Sequence, residues 1–186
     1  MMTLDDFTEK YSTLRSIRRF NMMPTIRTQD LCGHGYGVGC IFFLLCKEFD
    51  IEISAELLFL VMNHDFVESY TGDLNKIVKM KNEATQEAWS VLESESVPPN
   101  LRGFTDKVLE SKLEAHGPNT LKVFQLADCM DAGLYCMEEI KLGNLHLEEP
   151  YRKYQKWVDT LSAELQLSIP GRVEVRDIST KEDNLQ

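Results

Sequence analysis

Apolar residues recur along most of this chain at intervals of three and four, the period of a helix with one buried face. Leu4, Phe7, Tyr11, Leu14 and Ile17 mark a first amphipathic helix. After a polar connection around Met23-Pro24-Thr25, a second helix is predicted from about Cys32 to Phe49. Ser54 begins a third, with Glu56 and the apolar run Leu57-Leu-Phe-Leu-Val-Met62 behind it. Thr71-Gly72-Asp73 reads as a turn, with Asp73 suited to cap the next helix. Further helices are predicted at about Glu83 to Glu93 and at Leu101 to Ala115, the latter stopped by Gly117-Pro118. Another is predicted from Thr120 to Lys141, closed near Gly143, and a last one from Pro150 through Tyr151, Tyr154, Trp157, Val158 and Leu161. No alternating strand pattern, internal repeat or low-complexity linker interrupts this series. The fold class is therefore all-α, in one domain over about residues 1–170, with a charged tail at 171–186 that reads as irregular or mobile.

Composition narrows the partners. A chain of 186 residues is long enough to bury a real core. Its 30 acidic and 20 basic residues leave a formal net charge of −10, which argues against a nucleic-acid polymer as ligand. Small anions stay open, because a metal ion and a few local cations can hold them. No apolar run approaches the roughly 20 residues of a membrane span, and the acidic, amphipathic N-terminus does not read as a signal peptide. Five cysteines, an odd count without a CxxC pair, read as reduced and mostly buried thiols of a cytoplasmic protein.

The candidate chemistry centres on His64-Asp65, which follows the apolar run 57–62. Burying an imidazole and a carboxylate without partners costs about 2–7 kcal/mol for each group, and a metal ion would satisfy both. Asp128 lies near one helical face with Leu121, Phe124 and Tyr135, where a salt bridge and a metal are equally good readings. Asp131, one turn on, sits at the edge of that stripe. His34 stands in Gly33-His-Gly-Tyr-Gly-Val-Gly39, which is not GxGxxG and follows no predicted strand. A lone histidine there reads as a core residue; only with His64, Asp65 and Asp128 does it become a candidate ligand. Two imidazoles and two carboxylates suit a divalent Mn, Fe, Co, Ni or Zn ion, whose bound water is acidic enough to attack phosphorus. Glu68, four residues after His64 and three after Asp65, is expected to share their helix face and to orient or deprotonate that water. Arg19 and Arg27 before the set, with Lys76 and Lys79 after it, read as phosphate contacts, whereas Arg18 and Lys81 read as surface charge.

Three segments resemble the HD-domain metal-dependent phosphohydrolases, and within them the bacterial 5'-deoxynucleotidases and their phage relatives, which include small dATP triphosphohydrolases. They are Arg19-Phe20 with Ile26-Arg27-Thr28, then His64-Asp65-Phe-Val-Glu68-Ser-Tyr-Thr71-Gly72-Asp73-Leu74, then Ala127-Asp128. The resemblance implies an all-α HD fold with one divalent metal on His34, His64, Asp65 and Asp128, and Mg as a companion of the substrate phosphates. It implies Glu68 as the catalytic carboxylate, Arg19 on phosphate, Phe20 against the sugar where relatives often have tryptophan, Asp73 on the sugar and leaving-group side, and Ile77 near the base where relatives often have proline. Relatives usually carry Ser-Glu-His-Ser around the first histidine; this chain has Cys32-Gly33-His34-Gly35. The implied substrate is a 2'-deoxynucleotide, either a monophosphate or a triphosphate, with adenine the first base to test. The family also implies a homo-oligomer, dimer or hexamer, and the compact chain fits a phage enzyme working in host cytoplasm. Two rivals stand beside this reading: a non-catalytic nucleotide sensor on the same scaffold, and a hydrolase of cyclic or signalling nucleotides, for which His116 and His146 lack ligand spacing.

Overall fold

The computed structural model describes residues 2–73 and 82–166. Lys76, Ile77, Lys79, Lys81, the helix that Asp73 was expected to cap and the tail from 171 lie outside them. Among the described residues there are eight α-helices, two 3₁₀ turns and no strand. The helices are α1 (Leu4–Ser16), α2 (Leu31–Glu48), α3 (Ala55–Met62), α4 (Glu68–Thr71), α5 (Glu83–Ser96), α6 (Asp106–His116), α7 (Thr120–Lys141) and α8 (Glu148–Glu164).

Local chemistry sets several of the ends. Thr3 and Asp6 close a capping box on α1. Asp30 accepts from the Gly33 amide at the start of α2, and Ser54 from the Leu57 amide at the start of α3. Gly143, with φ +97°, turns the chain after α7. One expectation fails: Leu101 to Ala115 is not one helix. A 3₁₀ turn over Pro99–Phe104 comes first, Thr105 is extended (φ −68°, ψ 148°), and α6 starts only at Asp106. Leu101 and Phe104 are both buried, so packing decides this stretch over helix propensity.

Helix α7 is the centre of the molecule, buried along most of its length. On one side Val123, Phe124, Leu126 and Ala127 join Val38, Phe42 and Cys46 of α2 and Leu57, Leu60 and Val61 of α3 in the main core. On the other side Cys129, Ala132, Tyr135, Cys136 and Ile140 pack with Phe20, Leu147, Tyr151 and Tyr154. Cys46, Cys129 and Cys136 are buried, Cys32 is half-buried and Cys40 exposed, all as free thiols. Burial pushes the Cys46 thiol up to about 11 and the Cys136 thiol up to about 12, so neither is a thiolate at neutral pH.

The connection from α1 to α2 is held by backbone and side chain together. Arg18 and Asp30 form an isolated antiparallel bridge, and the Arg19 amide donates to the Gln29 carbonyl at 2.9 Å. The fully buried Glu139 of α7 accepts from the Ile26 and Arg27 amides at 2.7 Å each and from Asn144 Nδ2 at 2.7 Å. Burial raises the pKa of this carboxyl, but these donors outweigh burial and the net displacement is below its ordinary 4.5. A carboxyl so lowered contributes stability above its unfolded pKa, and the contribution is lost as pH falls through the lowered native value. Glu139→Ala should cost about 3 kcal/mol in denaturant unfolding at pH 7, because it strands buried donors worth about 1–3 kcal/mol each. The gap to wild type should narrow as the pH falls below 4.5.

Candidate active site

The apolar run 57–62 forms α3, but the helix stops at Met62 and the histidine–aspartate pair lies in the turns that follow. Phe66 N–H donates to Asn63 O (2.9 Å) and Glu68 N–H to Asp65 O (3.0 Å), a succession of i to i+3 turns that leads into the short α4. Glu68 therefore does not share a helix face with the pair, as its spacing suggested. It opens the next helix and is buried at 3 % exposure. Gly72, with φ +78°, ends that helix, and Asp73 follows, its carbonyl accepting from Asn21 Nδ2 at 3.1 Å.

His34 is fully buried on α2 and His64 nearly so, their ring centroids 5.0 Å apart. Each ring has its Nδ1 against a group that can only accept: Asp131 Oδ2 at 2.6 Å for His34 and the Val61 carbonyl at 2.9 Å for His64. Nδ1 therefore donates in both rings, and both Nε2 atoms face one cluster of carboxylates. His34 Nε2 lies 3.2 Å from Asp128 Oδ1 and 3.7 Å from Asp65 Oδ2, while His64 Nε2 lies 3.3 Å from Asp65 Oδ1. Buried as it is, His34 Nε2 makes no well-aligned hydrogen bond. Ligand atoms of His34, His64 and Asp65 fall within 4.8 Å of one another. Two ring nitrogens and two carboxylates brought this close fit a divalent cation, and the mixed N/O chemistry suits a transition metal.

The charges act differently on the two rings. Burial and Arg19 disfavour the imidazolium of His34, but Asp128, Asp131 and Asp65 outweigh them and raise its pKa. His64 goes the other way: burial lowers its pKa and keeps the ring neutral. Burial likewise opposes the charge on Arg19, yet Asp65 and Asp128 more than offset it, so the guanidinium stays protonated with Nη1 2.9 Å from Asp65 Oδ2.

Phe20 fixes where Arg19 points. Its backbone is left-handed (φ +54°), a conformation costing a non-glycine residue about 1–3 kcal/mol. The ring offsets this by stacking on Tyr135, centroids 5.1 Å apart, and meeting the edge of Tyr154 at 6.3 Å. Arg19 and Phe20 then line a cavity of about 360 Å³ with His64, Asp65, Glu68, Asp73, Asp128 and Tyr154, a volume within the range of small-ligand sites. The far wall comes from Gln86, Trp89, Ser90 and Glu93 of α5 and the start of α6.

Most of the candidates meet here: His34, His64, Asp65, Asp128, Glu68, Asp73, Arg19 and Phe20. Arg27 does not. Its guanidinium pairs with Glu138 on the exposed surface, and only its backbone is used inward. Lys76, Ile77 and Lys79 fall outside the described residues. Asp131, expected at the edge of a stripe, sits against His34 instead. The spacing missed Trp89 and Glu93, where the indole N–H donates to a carboxylate buried at 1 % exposure. An acid on the apolar side of an amphipathic helix was the one signal available.

The sequence profile of the family described as 5'-deoxynucleotidase YfbR-like matches residues 6–167. The chain belongs to this family. A 5'-deoxynucleotidase of Citrobacter koseri is 28% identical over 155 residues, covering 77% of each chain. The 5'-deoxynucleotidase YfbR of Escherichia coli K12 is 27% identical over the same length, again covering 77% of each. Among solved structures, an HD-domain phosphohydrolase from Listeria innocua superposes with a TM-score of 0.64 at 20% identity, covering 88% of this chain and 85% of that one. The HD phosphohydrolase DatZ of cyanophage S-2L, solved with dA and one catalytic Zn²⁺ ion, superposes at 0.61 and 16% identity, covering 88% and 87%. The fold of this family member is thus the all-helical HD fold.

The cluster depends on how closely α2 lies to α3. A Cβ at Gly35 would stand 2.2 Å from the Met62 carbonyl oxygen, which is backbone and cannot yield alone. Gly35→Ala should part the two histidines and lower stability by about 1–3 kcal/mol, as overpacking does, read as a fall in melting temperature.

Proposed function

We propose that this chain is a metal-dependent phosphohydrolase of 2'-deoxyribonucleotides. The observation that carries the reading is the pair of buried imidazoles, each held through Nδ1 by an acceptor and each turning Nε2 toward carboxylates, beside a largely buried arginine and at the edge of a nucleotide-sized cavity. Family membership and the names of the relatives support it. His34, His64, Asp65 and Asp128 would hold one ion, with zinc favoured by the phage neighbour's Zn²⁺ and Co, Mn, Ni and Fe compatible with the same donors.

When bound, the ion supplies Lewis acidity toward a phosphate oxygen and makes the attacking water more acidic. Arg19 binds the phosphate and, held on Asp65, keeps it in register with the ligand set. Glu68 takes the proton as the water oxygen bonds to phosphorus, and the P–O5' bond breaks with its electrons going to O5'. The proton then passes to O5', giving a nucleoside and inorganic phosphate. Asp73, at the turn after α4 and lining the cavity, would hold the sugar. Phe20 and Tyr154 close the wall beside Arg19 and exclude water, while the α5 wall is left for the base.

We take the monophosphate as the preferred form. The family is one of 5'-deoxynucleotidases, and the cations lining the cavity among the described residues are Arg19 and Lys107, set against several carboxylates. A triphosphate, the second form, would draw on cations outside the described residues. Adenine is the first base to test, since the phage neighbour holds dA. Self-association is part of the proposal, supported by exposed apolar side chains Tyr36, Phe43 and Leu44 along α2.

A screen of dNMPs and dNTPs with added Co, Mn or Zn, separating phosphate from triphosphate, should show metal-dependent release of phosphate that EDTA abolishes. Release from none of them overturns the function. Glu68→Gln should keep its metal yet lose about 10²–10⁴ in turnover, measured as kcat beside metal content; a fully active variant refutes the role.

A further inference from the structure

We infer that Asp131 is a positioning residue for the metal centre, holding His34 so that its Nε2 lone pair faces the ion, in a space that Gly37 keeps open. The inference rests on the reading of the cluster as a metal site.

Three observations carry it. The first is the contact itself: Asp131 Oδ2 lies 2.6 Å from His34 Nδ1, the shortest approach either ring nitrogen of that histidine makes to a carboxylate. An ionised carboxylate only accepts, so it keeps a proton on Nδ1 and leaves Nε2 as the nitrogen turned toward the ion. The second is that Asp131 is itself aimed. Gln29 Nε2 donates to the same Oδ2 at 2.9 Å, and the Gln29 carbonyl in turn accepts from the Arg19 amide. The third is the fit against α2. A Cβ at position 37 would stand 2.0 Å from Asp131 Oδ1 and 2.9 Å from its Cγ, so any larger residue would drive the carboxylate off its line to His34.

The two histidines are backed differently, and this gives the inference its content. His64 leans on the neutral Val61 carbonyl, whereas His34 leans on a charge. A carboxylate behind an imidazole raises its basicity as a ligand and locks the ring's orientation, and such partners are worth about 10–100-fold in metal affinity. His34 is thus the stronger of the two nitrogen donors. A purely structural role explains the pair less well, since a carboxylate taken largely out of water costs more than apolar packing of the same volume.

The test uses the full chain stripped with chelator and titrated with Zn²⁺ by calorimetry, and with Co²⁺ while following its visible absorption. Asp131→Asn keeps the shape and removes the charge. It should weaken binding about 10–100-fold with an unchanged circular-dichroism spectrum, and should alter the Co²⁺ bands and the long-range ¹⁵N pattern of the His34 ring. Should that variant fail to fold, Gln29→Ala, which removes only the outer donor, should still weaken Zn²⁺ binding several-fold. Binding within twofold of wild type by a folded variant would overturn the inference while leaving the metal site standing. A wild-type chain that takes up no divalent ion would overturn both, a result that separates the two failures.

Discussion

Everything in the site follows from how near α2 can come to its neighbours. Side chains on one helix normally keep another helix axis 8–10 Å away. On α2, Gly35 and Gly39 lie against Met62 and Gly37 against Asp131 of α7, and a methyl group at position 35 would collide with the backbone of Met62. That close approach brings a histidine in the first turn of α2 alongside one that follows α3, with Asp128 and Asp131 of α7 against them. The glycines cost helix stability, about 1 kcal/mol each relative to alanine. The apolar residues interleaved with them, Val38 and Phe42 fully buried, offset that cost through the core they fill.

The helical period along the chain was enough to locate most of the fold. Helices α1, α2, α3, α7 and α8 lie close to where the spacing of apolar residues puts them, because each has one face against the core. The exceptions are places where a tertiary contact overrides the local pattern. Leu101 and Phe104 look like a helix repeat, but they are anchored from a 3₁₀ turn, and the extended Thr105 resets the phase before α6. The pair His64-Asp65 looks like the end of a helix that continues to Glu68, and it is a run of turns.

For the site, residue types and short spacings identified the groups that converge, but not how they are supported. Nothing local to Asp131 tells that it meets a histidine 97 positions earlier in the chain. Nor does Gly37 reveal that its missing side chain is filled by that carboxylate. Glu93 and Trp89 lie on a helix whose pattern reads as ordinary surface amphipathicity, and only the folded arrangement turns them toward the cavity. Arg27 shows the converse: a cation in a suggestive segment whose side chain turns outward to Glu138, while its backbone serves the fold.

The grip of Glu139 on the loop before α2 has a consequence for how this chain can change over time. That carboxylate holds Ile26 and Arg27 by their amides and never touches what the side chains are; Ile26 stays 58 % exposed. The stretch that spaces Arg19 from His34 is therefore clasped in a way blind to its own lettering. The clasp itself asks only for an amide hydrogen at each of these two positions, which proline cannot give. A side-chain change here that keeps the amides keeps this clasp, so the spacing of cation and ligand set is held by backbone rather than by the residues' identity.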